Sequence, residues 1–177
     1  MTEQKNIASS SAGLSLWGWP AILSLIVFLL DQGTKIWVDY ACPIGWHYSV
    51  IPGFFALVHV RNTGSAWGMF SQHTWALALC SIVAFGVLIW RFRKWNEGSR
   101  IMAGALALLL GGIAGNMVDR VVRYSVIDFL SFHWRGYEYP AFNIADSAIT
   151  VSVILLLVLS FWRPDGTQKK QTPDKGE

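Results

Sequence analysis

Four segments of this chain are each long and apolar enough to cross a lipid bilayer, and this constrains the fold more than any other feature. A helical span takes about 20 predominantly apolar residues. Inside lipid a backbone must satisfy its own hydrogen bonds, which predicts helices for all four segments. We expect spans at about residues 14–38, 74–90, 101–122 and 141–162.

The composition agrees with a protein that lies mostly in lipid. Of the 177 residues, 53% are hydrophobic and 14% are charged, which is too little charge to cover a soluble domain. Indole rings prefer the membrane interface, and many tryptophans lie near the expected span ends: Trp17, Trp19, Trp37, Trp75, Trp90, Trp95 and Trp162.

The basic residues predict the orientation of the chain. The short connection 91–100 and the segment after the fourth span are rich in Lys and Arg. Such connections stay in the cytoplasm, so both termini should be cytoplasmic and the connections 39–73 and 123–140 should lie outside. No small-residue cleavage pattern follows Leu30, so the first span is interpreted as an uncleaved anchor. Residues 1–13 and 163–177 are expected to be cytoplasmic tails, the second of them disordered.

The first outer connection has the pattern of a β-hairpin. Two runs rich in β-forming residues flank Pro52-Gly53 within residues 44–62. This segment is apolar for an exposed loop, so it either lies on the membrane surface or covers a site. The predicted fold is therefore an all-α integral membrane protein with four transmembrane helices and a small periplasmic β-hairpin or cradle.

Several polar side chains are expected at one depth, in the outer third of the bilayer. With a rise of about 1.5 Å per residue, Asp31 lies about 25 Å along the first span and Asn116 and Asp119 about 22–27 Å along the third. Asp146 lies about 7 Å below the outer end of the fourth span, and Asp128 follows the third span at a similar level. Ionisable groups inside a membrane are functional candidates.

Some of these polar groups have a simpler structural interpretation. Asp31 and Lys35 are spaced i, i+4 with the acid first, which favours an ion pair that anchors the helix end without chemistry. Gly104, Gly111 and Gly115 share a helix face and permit close packing. Asp146 is harder to explain by packing, and it shares a face with Asn143 at i, i+3.

The residue pattern gives little support to metal, cofactor or nucleic-acid chemistry. Cys42 and Cys80 form no ligand spacing, the four histidines are scattered, and no basic motif suits nucleic acid. We therefore expect no metal, no cofactor and no nucleic-acid partner.

Two carboxylates close together in a low dielectric share one proton, because both cannot ionise cheaply. The ionised member can take a proton from water while the protonated member donates one to a peptide carbonyl. Asp128 and Asp146 are the candidates for such a pair. Asn62, Asn116 and Asn143 could hydrogen-bond an extended peptide, and Arg120 could hold a carbonyl or balance the acids.

Two other functional classes use similar residues. A small proton-coupled transporter would carry carboxylates near the midplane between repeated halves, and no internal repeat is evident here. A non-enzymatic scaffold would need polar helix contacts without two facing acids.

Five motifs, taken together, resemble those of the lipoprotein signal peptidase family, also called signal peptidase II. They are Asp31-Gln-Gly-Thr-Lys35, Asn62-Thr-Gly-Ser-Ala-Trp67, Gly111-Gly-Ile-Ala-Gly-Asn-Met-Val-Asp-Arg120, Val126-Ile-Asp-Phe129 and Phe142-Asn-Ile-Ala-Asp146. The resemblance covers roughly residues 14–162, in one four-span peptidase domain.

The resemblance implies an aspartic endopeptidase of the bacterial cytoplasmic membrane, with its site near the outer face. Its substrate would be a diacylglyceryl-modified prolipoprotein, cut just before the lipidated cysteine, with membrane phospholipid around it and globomycin-type peptides as inhibitors. Asp128 and Asp146 match the catalytic dyad. Other positions match residues that shape the site or stabilise it: Asp31, Lys35, Asn62, Gly64, Asn116, Asp119, Arg120 and Asn143.

Overall fold

The computed structural model describes residues 3–64, 73–96 and 99–161, with side-chain environments from residue 18 onward. The expected C-terminal tail and part of the motif after Asn62 lie outside these residues. In chain order the elements are α1 (Glu3–Ala41), β1 (His47–Ile51), β2 (Phe55–Asn62), α2 (Thr74–Asn96), α3 (Arg100–Val122), β3 (Val126–Trp134), β4 (Tyr137–Glu138) and α4 (Ile144–Phe161).

The prediction of four membrane-length helices is confirmed. The segments that could cross a membrane by length and hydropathy are Gly18–Ala41, Thr74–Asn96, Arg100–Val122 and Ile144–Phe161. Several ends differ from expectation. Helix α1 extends beyond the expected bounds 14–38 at both ends. Helix α2 continues past residue 90 to Asn96, and α4 begins at Ile144 because residue 142 is still paired with Leu130 of the sheet.

Helix α3 lies at the centre of the bundle and packs against the other three helices. Glycines on two of its faces allow backbones to approach closely. A β-carbon on Gly111 would lie 2.6 Å from the backbone oxygen of Ser24 in α1. One on Gly112 would lie 2.6 Å from the backbone oxygen of Ala145 in α4. Small residues at helix crossings are the usual basis of close packing in membranes.

The predicted hairpin is confirmed, and it is part of a larger sheet. Strands β1 and β2 pair antiparallel around a turn in which Gly53 has a φ of 72°. The sheet has four strands in the order β1-β2-β3-β4, so the all-α class needs correction. Strand β3 lies in the connection 123–140, for which no strand was predicted. It pairs along β2 and places Asp128 opposite Val60.

The sheet packs on the end of α1, and this contact positions β3. Val38 and Cys42, near the end of α1, form a buried cluster with Ile127 and Phe129 of β3. Side chains alternate along a strand, so Asp128, between these two apolar residues, points the other way. The apolar contact therefore aims Asp128 away from α1.

We predict that Gly112→Ala lowers the melting temperature of the detergent-solubilised protein. The new β-carbon would overlap the α4 backbone, and overpacking typically costs about 1–3 kcal/mol. Gly86→Ala in α2 is the matched control, since no atom lies within 4 Å of a β-carbon there. Equal melting temperatures for the two variants would show that the close approach of α3 and α4 is not required.

Candidate active site

Two aspartates from different parts of the fold face one small cavity. Asp128 comes from β3, and Asp146 comes from the first turn of α4. Both line a cavity of about 200 Å³ together with Asn62 and Arg120. The fold thus brings together the two carboxylates that the sequence singled out, and places amide and guanidinium groups beside them.

Asn143 binds both aspartates. Its side-chain amide donates to Asp128 Oδ1 at 2.7 Å, and its backbone N–H donates to Asp146 Oδ2 at 3.2 Å. Its side-chain oxygen accepts from the Asp146 backbone N–H at 3.0 Å. This reciprocal pattern is a capping box, so Asn143 precedes helix α4 and does not lie within it. The cap sets the orientation of its amide.

Two further asparagines complete the amide contacts to the acids. Asn62, at the end of β2, donates to Asp128 Oδ2 at 3.1 Å, and its oxygen accepts from the Gly64 N–H at 2.9 Å. Asn116, on α3, donates to Asp146 Oδ1 at 2.7 Å. Each aspartate therefore accepts from two donors, on different elements.

The environments of the two acids differ. The Asp128 side chain is buried, with 2% of its surface exposed, whereas Asp146 is half-buried. Burial, and after it the negative charge of Asp146, raise the pKa of Asp128 to about 7, against the hydrogen bonds from Asn62 and Asn143 and the charge of Lys35, which lower it. Asp128 therefore still holds a proton at a pH where an exposed aspartate has lost it.

Arg120 lies beside the aspartates, and its hydrogen-bond donors are not fully used by the described residues. Its guanidinium makes long contacts to the backbone oxygens of Asn116, at 3.4 Å, and Gly64, at 3.5 Å. Its Nε is buried and has no hydrogen-bond partner among the described residues. Because it lines the same cavity as both acids, it can bind a group that enters there.

A buried ionic cluster lies behind the aspartates. Lys35 Nζ contacts Asp31 and Asp119, each at 2.8 Å, and donates to Asn116 Oδ1 at 2.9 Å. Both acids and Lys35 are fully buried. Asp31 also accepts from the Ala145 backbone N–H at 2.9 Å. The cluster therefore connects α1 and α3 to the start of α4.

Two members of this cluster were not predicted from the sequence. Gln32 donates to the Gly115 backbone oxygen and to Asp119, each at 3.1 Å. Arg123 pairs with Asp119 and donates to the Gln32 oxygen at 3.2 Å. The signal for Arg123 was its i, i+4 spacing from Asp119. Gln32 lies inside one of the motifs, but nothing in its pattern indicated burial.

A larger apolar cavity adjoins the aspartates. Its volume is about 610 Å³, and Asp146, Tyr139, Phe142 and Thr150 line both it and the small cavity. The rest of its wall is largely aromatic: Phe54, Phe132, His133, Trp134, Tyr137, Ser147 and Val151. A ligand with a long apolar part could therefore lie here with its polar part at the acids.

The family profile and the related proteins that match this chain agree on one family. The profile of the family described as "Signal peptidase (SPase) II" matches residues 23–162. The lipoprotein signal peptidase of Listeria welshimeri is 39% identical over 140 residues, 79% of this chain and 91% of that protein. The lipoprotein signal peptidase of Bacillus pumilus is 37% identical over 151 residues, 85% of this chain and 96% of that protein.

A solved structure of a bacterial membrane enzyme has the same fold. It superposes with a TM-score of 0.79 at 32% sequence identity and covers 88% of this chain and 94% of its own. A profile match over most of the chain, relatives near 40% identity and this shared fold agree with one another. The chain therefore belongs to the signal peptidase II family.

Proposed function

We propose that this protein is an aspartic endopeptidase that removes the signal peptide from diacylglyceryl-modified prolipoproteins, cutting just before the lipidated cysteine. Family membership supports the substrate class. The observation that carries the catalytic type is that Asp128 and Asp146 line one cavity and are both bound by Asn143.

The chemistry follows from one shared proton. Asp146, as the carboxylate, takes a proton from a water molecule whose oxygen attacks the scissile carbonyl carbon. Asp128 donates its proton to the carbonyl oxygen, which gives a neutral tetrahedral diol. Asp146 then passes the proton it took from water to the leaving nitrogen, while Asp128 takes one proton back from a diol hydroxyl. The diol collapses to a carboxylic acid and the C–N bond breaks, which restores both aspartates. Neither a metal ion nor a covalent intermediate is needed.

The surroundings support these two roles. Asp128 is the acid because burial raises its pKa to about 7. Asp146 is the base because it lies in the first turn of α4, where the helix dipole favours negative charge. It also accepts hydrogen bonds from Asn116 and from a backbone N–H. Two carboxylates in unlike environments are the usual basis of an acid–base pair.

Substrate binding is assigned to the groups around the acids. Arg120 has an unpartnered Nε for a peptide carbonyl, and Asn62 lines the cavity beside it. The cavity of about 610 Å³ next to Asp146 suits acyl chains or apolar side chains. A globomycin-type cyclic peptide would compete for the same space.

We also propose that both termini are cytoplasmic and that the site faces the outer side of the bacterial inner membrane. The basic residues where α2 and α3 meet support this orientation: Arg93 and Lys94 lie in the last turn of α2, and Arg100 begins α3. A reporter enzyme active only in the cytoplasm, fused to the C-terminus, should be active. Activity of a periplasm-specific reporter there would contradict the orientation.

We predict that Asp128→Asn and Asp146→Asn each lower the turnover of a diacylated prolipoprotein by at least about 100-fold, because each removes one partner of the proton transfer. The measurement is the size shift of the substrate on incubation with purified enzyme in detergent with phospholipid. Melting temperatures near that of wild type would show that both variants are folded.

Asp39→Asn is the matched control for this experiment. Asp39 pairs with Arg61 at 2.5 Å at the end of α1, and 30% of its side chain is exposed. Such a pair contributes about 0–1 kcal/mol, so this variant should cleave at nearly the wild-type rate. Near-normal turnover by either dyad variant would rule out the proposed mechanism.

A further inference from the structure

We propose that Lys35 is a positioning residue for the catalytic base, and that it acts through Asn116. In this inference, which rests on the proposed function, the buried ammonium orients the Asn116 amide so that its NH₂ group faces Asp146. Lys35 would then contribute to turnover as well as to folding, in contrast to the purely structural role suggested by its i, i+4 spacing from Asp31.

The contacts of Lys35 leave its ammonium no freedom. It is fully buried, and its three N–H donors have three acceptors within 2.9 Å, on Asp31, Asp119 and Asn116. The two carboxylates are themselves held by the Ala145 N–H and by Gln32. A charge desolvated to this extent needs all of its partners, so Asn116 is a required part of the cluster.

The orientation of the Asn116 amide follows from this contact. An ammonium only donates, so the end of the amide that faces Lys35 must be the oxygen. The NH₂ end then faces Asp146, to which it donates at 2.7 Å. The opposite orientation would place the NH₂ group against Lys35 and an oxygen against a carboxylate, and both contacts would be repulsive.

One other donor acts on the same oxygen. The Asn143 amide contacts Asn116 Oδ1 at 3.3 Å, but it is neutral and also contacts Asp128 at 2.7 Å. The Lys35 contact is shorter, at 2.9 Å, and charged, and charge-assisted hydrogen bonds are about twice as strong as neutral ones. Of the two donors to this oxygen, Lys35 is therefore the stronger.

Several other groups act on Asp146 directly, and none of them depends on this contact. Asp128 faces it from β3, and Arg120 faces it from α3 across the small cavity. His133 and Tyr139 line the larger cavity with it. These groups remain when Lys35 is replaced. The Lys35 charge itself lowers the pKa of Asp128, so its loss acts on the alkaline side of the pH–rate profile. A shift of the acidic side is the change that is assigned to the Asn116 contact.

The experiment compares two substitutions that each remove one cation from the same cluster. Lys35→Met removes the donor to Asn116. Arg123→Met is the matched control, since Arg123 contacts Asp119 and Gln32 and has no contact with Asn116 among the described residues. Turnover of a diacylated prolipoprotein is measured against pH for both variants and for wild type, with the melting temperature of each.

Lys35→Met should lower kcat with little change in KM, because Lys35 is fully buried and lines neither cavity. As the solution is acidified, the rate of this variant should begin to fall about one pH unit higher than that of wild type. The reason is that the hydrogen bond from Asn116 to the Asp146 carboxylate is weakened. Arg123→Met should lower the melting temperature but leave the pH profile unchanged. If turnover falls at the same pH on the acidic side (the acidic limb of the pH–rate profile) in Lys35→Met and in wild type, the proposal is overturned.

A second variant keeps the test decisive if Lys35→Met does not fold. Lys35→Met combined with Asp31→Asn leaves Asp119 and Arg123 as a neutral pair and keeps an oxygen for the Ala145 N–H. It should show the same shift of the acidic limb. In an Asn116→Leu background, adding Lys35→Met should shift the limb no further, and a further shift would overturn the proposal.

This design separates the inference from the proposed function. Failure of wild type to cleave any diacylated prolipoprotein would contradict the proposed function itself. Cleavage that depends on Asp128 and Asp146 but is equally pH-dependent in wild type and Lys35→Met would contradict only the role of Lys35.

Discussion

A charge taken out of water must find its partners within the protein, and this requirement organises the whole structure. Lys35 lies between Asp31 and Asp119, with every donor used. The cluster draws three helices together, since Asp31 also accepts from the α4 backbone at Ala145. Gly115 makes the approach possible, because a β-carbon there would lie 2.4 Å from an Asp31 oxygen. Removal of one partner from such a group typically costs about 3–5 kcal/mol.

Three asparagines hold the two aspartates of the site in position by hydrogen bonds. An amide both accepts and donates, so it can pass an orientation from one neighbour to the next. Asn116 passes it from Lys35 to Asp146, Asn143 joins the start of α4 to Asp128, and Asn62 joins the end of β2 to the same acid. The site thus combines a helical scaffold, which holds Asp146, with a sheet, which holds Asp128.

Much of this arrangement could be predicted from the sequence, because hydropathy and helical rise need no tertiary information. Counting residues along the spans placed Asp31, Asn116, Asp119 and Asp146 at one depth, and hydrogen bonds now connect them. The same count could not show which side chains touch. It described Asp146 as one turn inside a helix, whereas it lies in the first turn, within a capping box that the Asn143-x-x-Asp146 spacing already indicated.

Strand β3 was missed for a physical reason. It follows a transmembrane helix and is a run of mostly apolar residues, so its own pattern does not distinguish a strand from an irregular connection. Its partner β2 lies more than 60 residues earlier in the chain, as in the pairing of Asn62 with Val126, and such register cannot be derived from local spacing. The i, i+4 spacing from Asp31 likewise gives no indication of the contact between Lys35 and Asn116.

In the proposed mechanism Asp128 is the acid, which holds its proton up to about pH 7. Infrared difference spectra of wild type against Asp128→Asn, recorded across a pH titration, test it directly. The folded protein holds a proton on this carboxyl that an exposed aspartate would lose near pH 4. Wild type should show a C=O band of a protonated carboxyl group that is absent from Asp128→Asn. This band should disappear as the pH rises through about 7. A band lost near pH 4, as for an exposed aspartate, would contradict it.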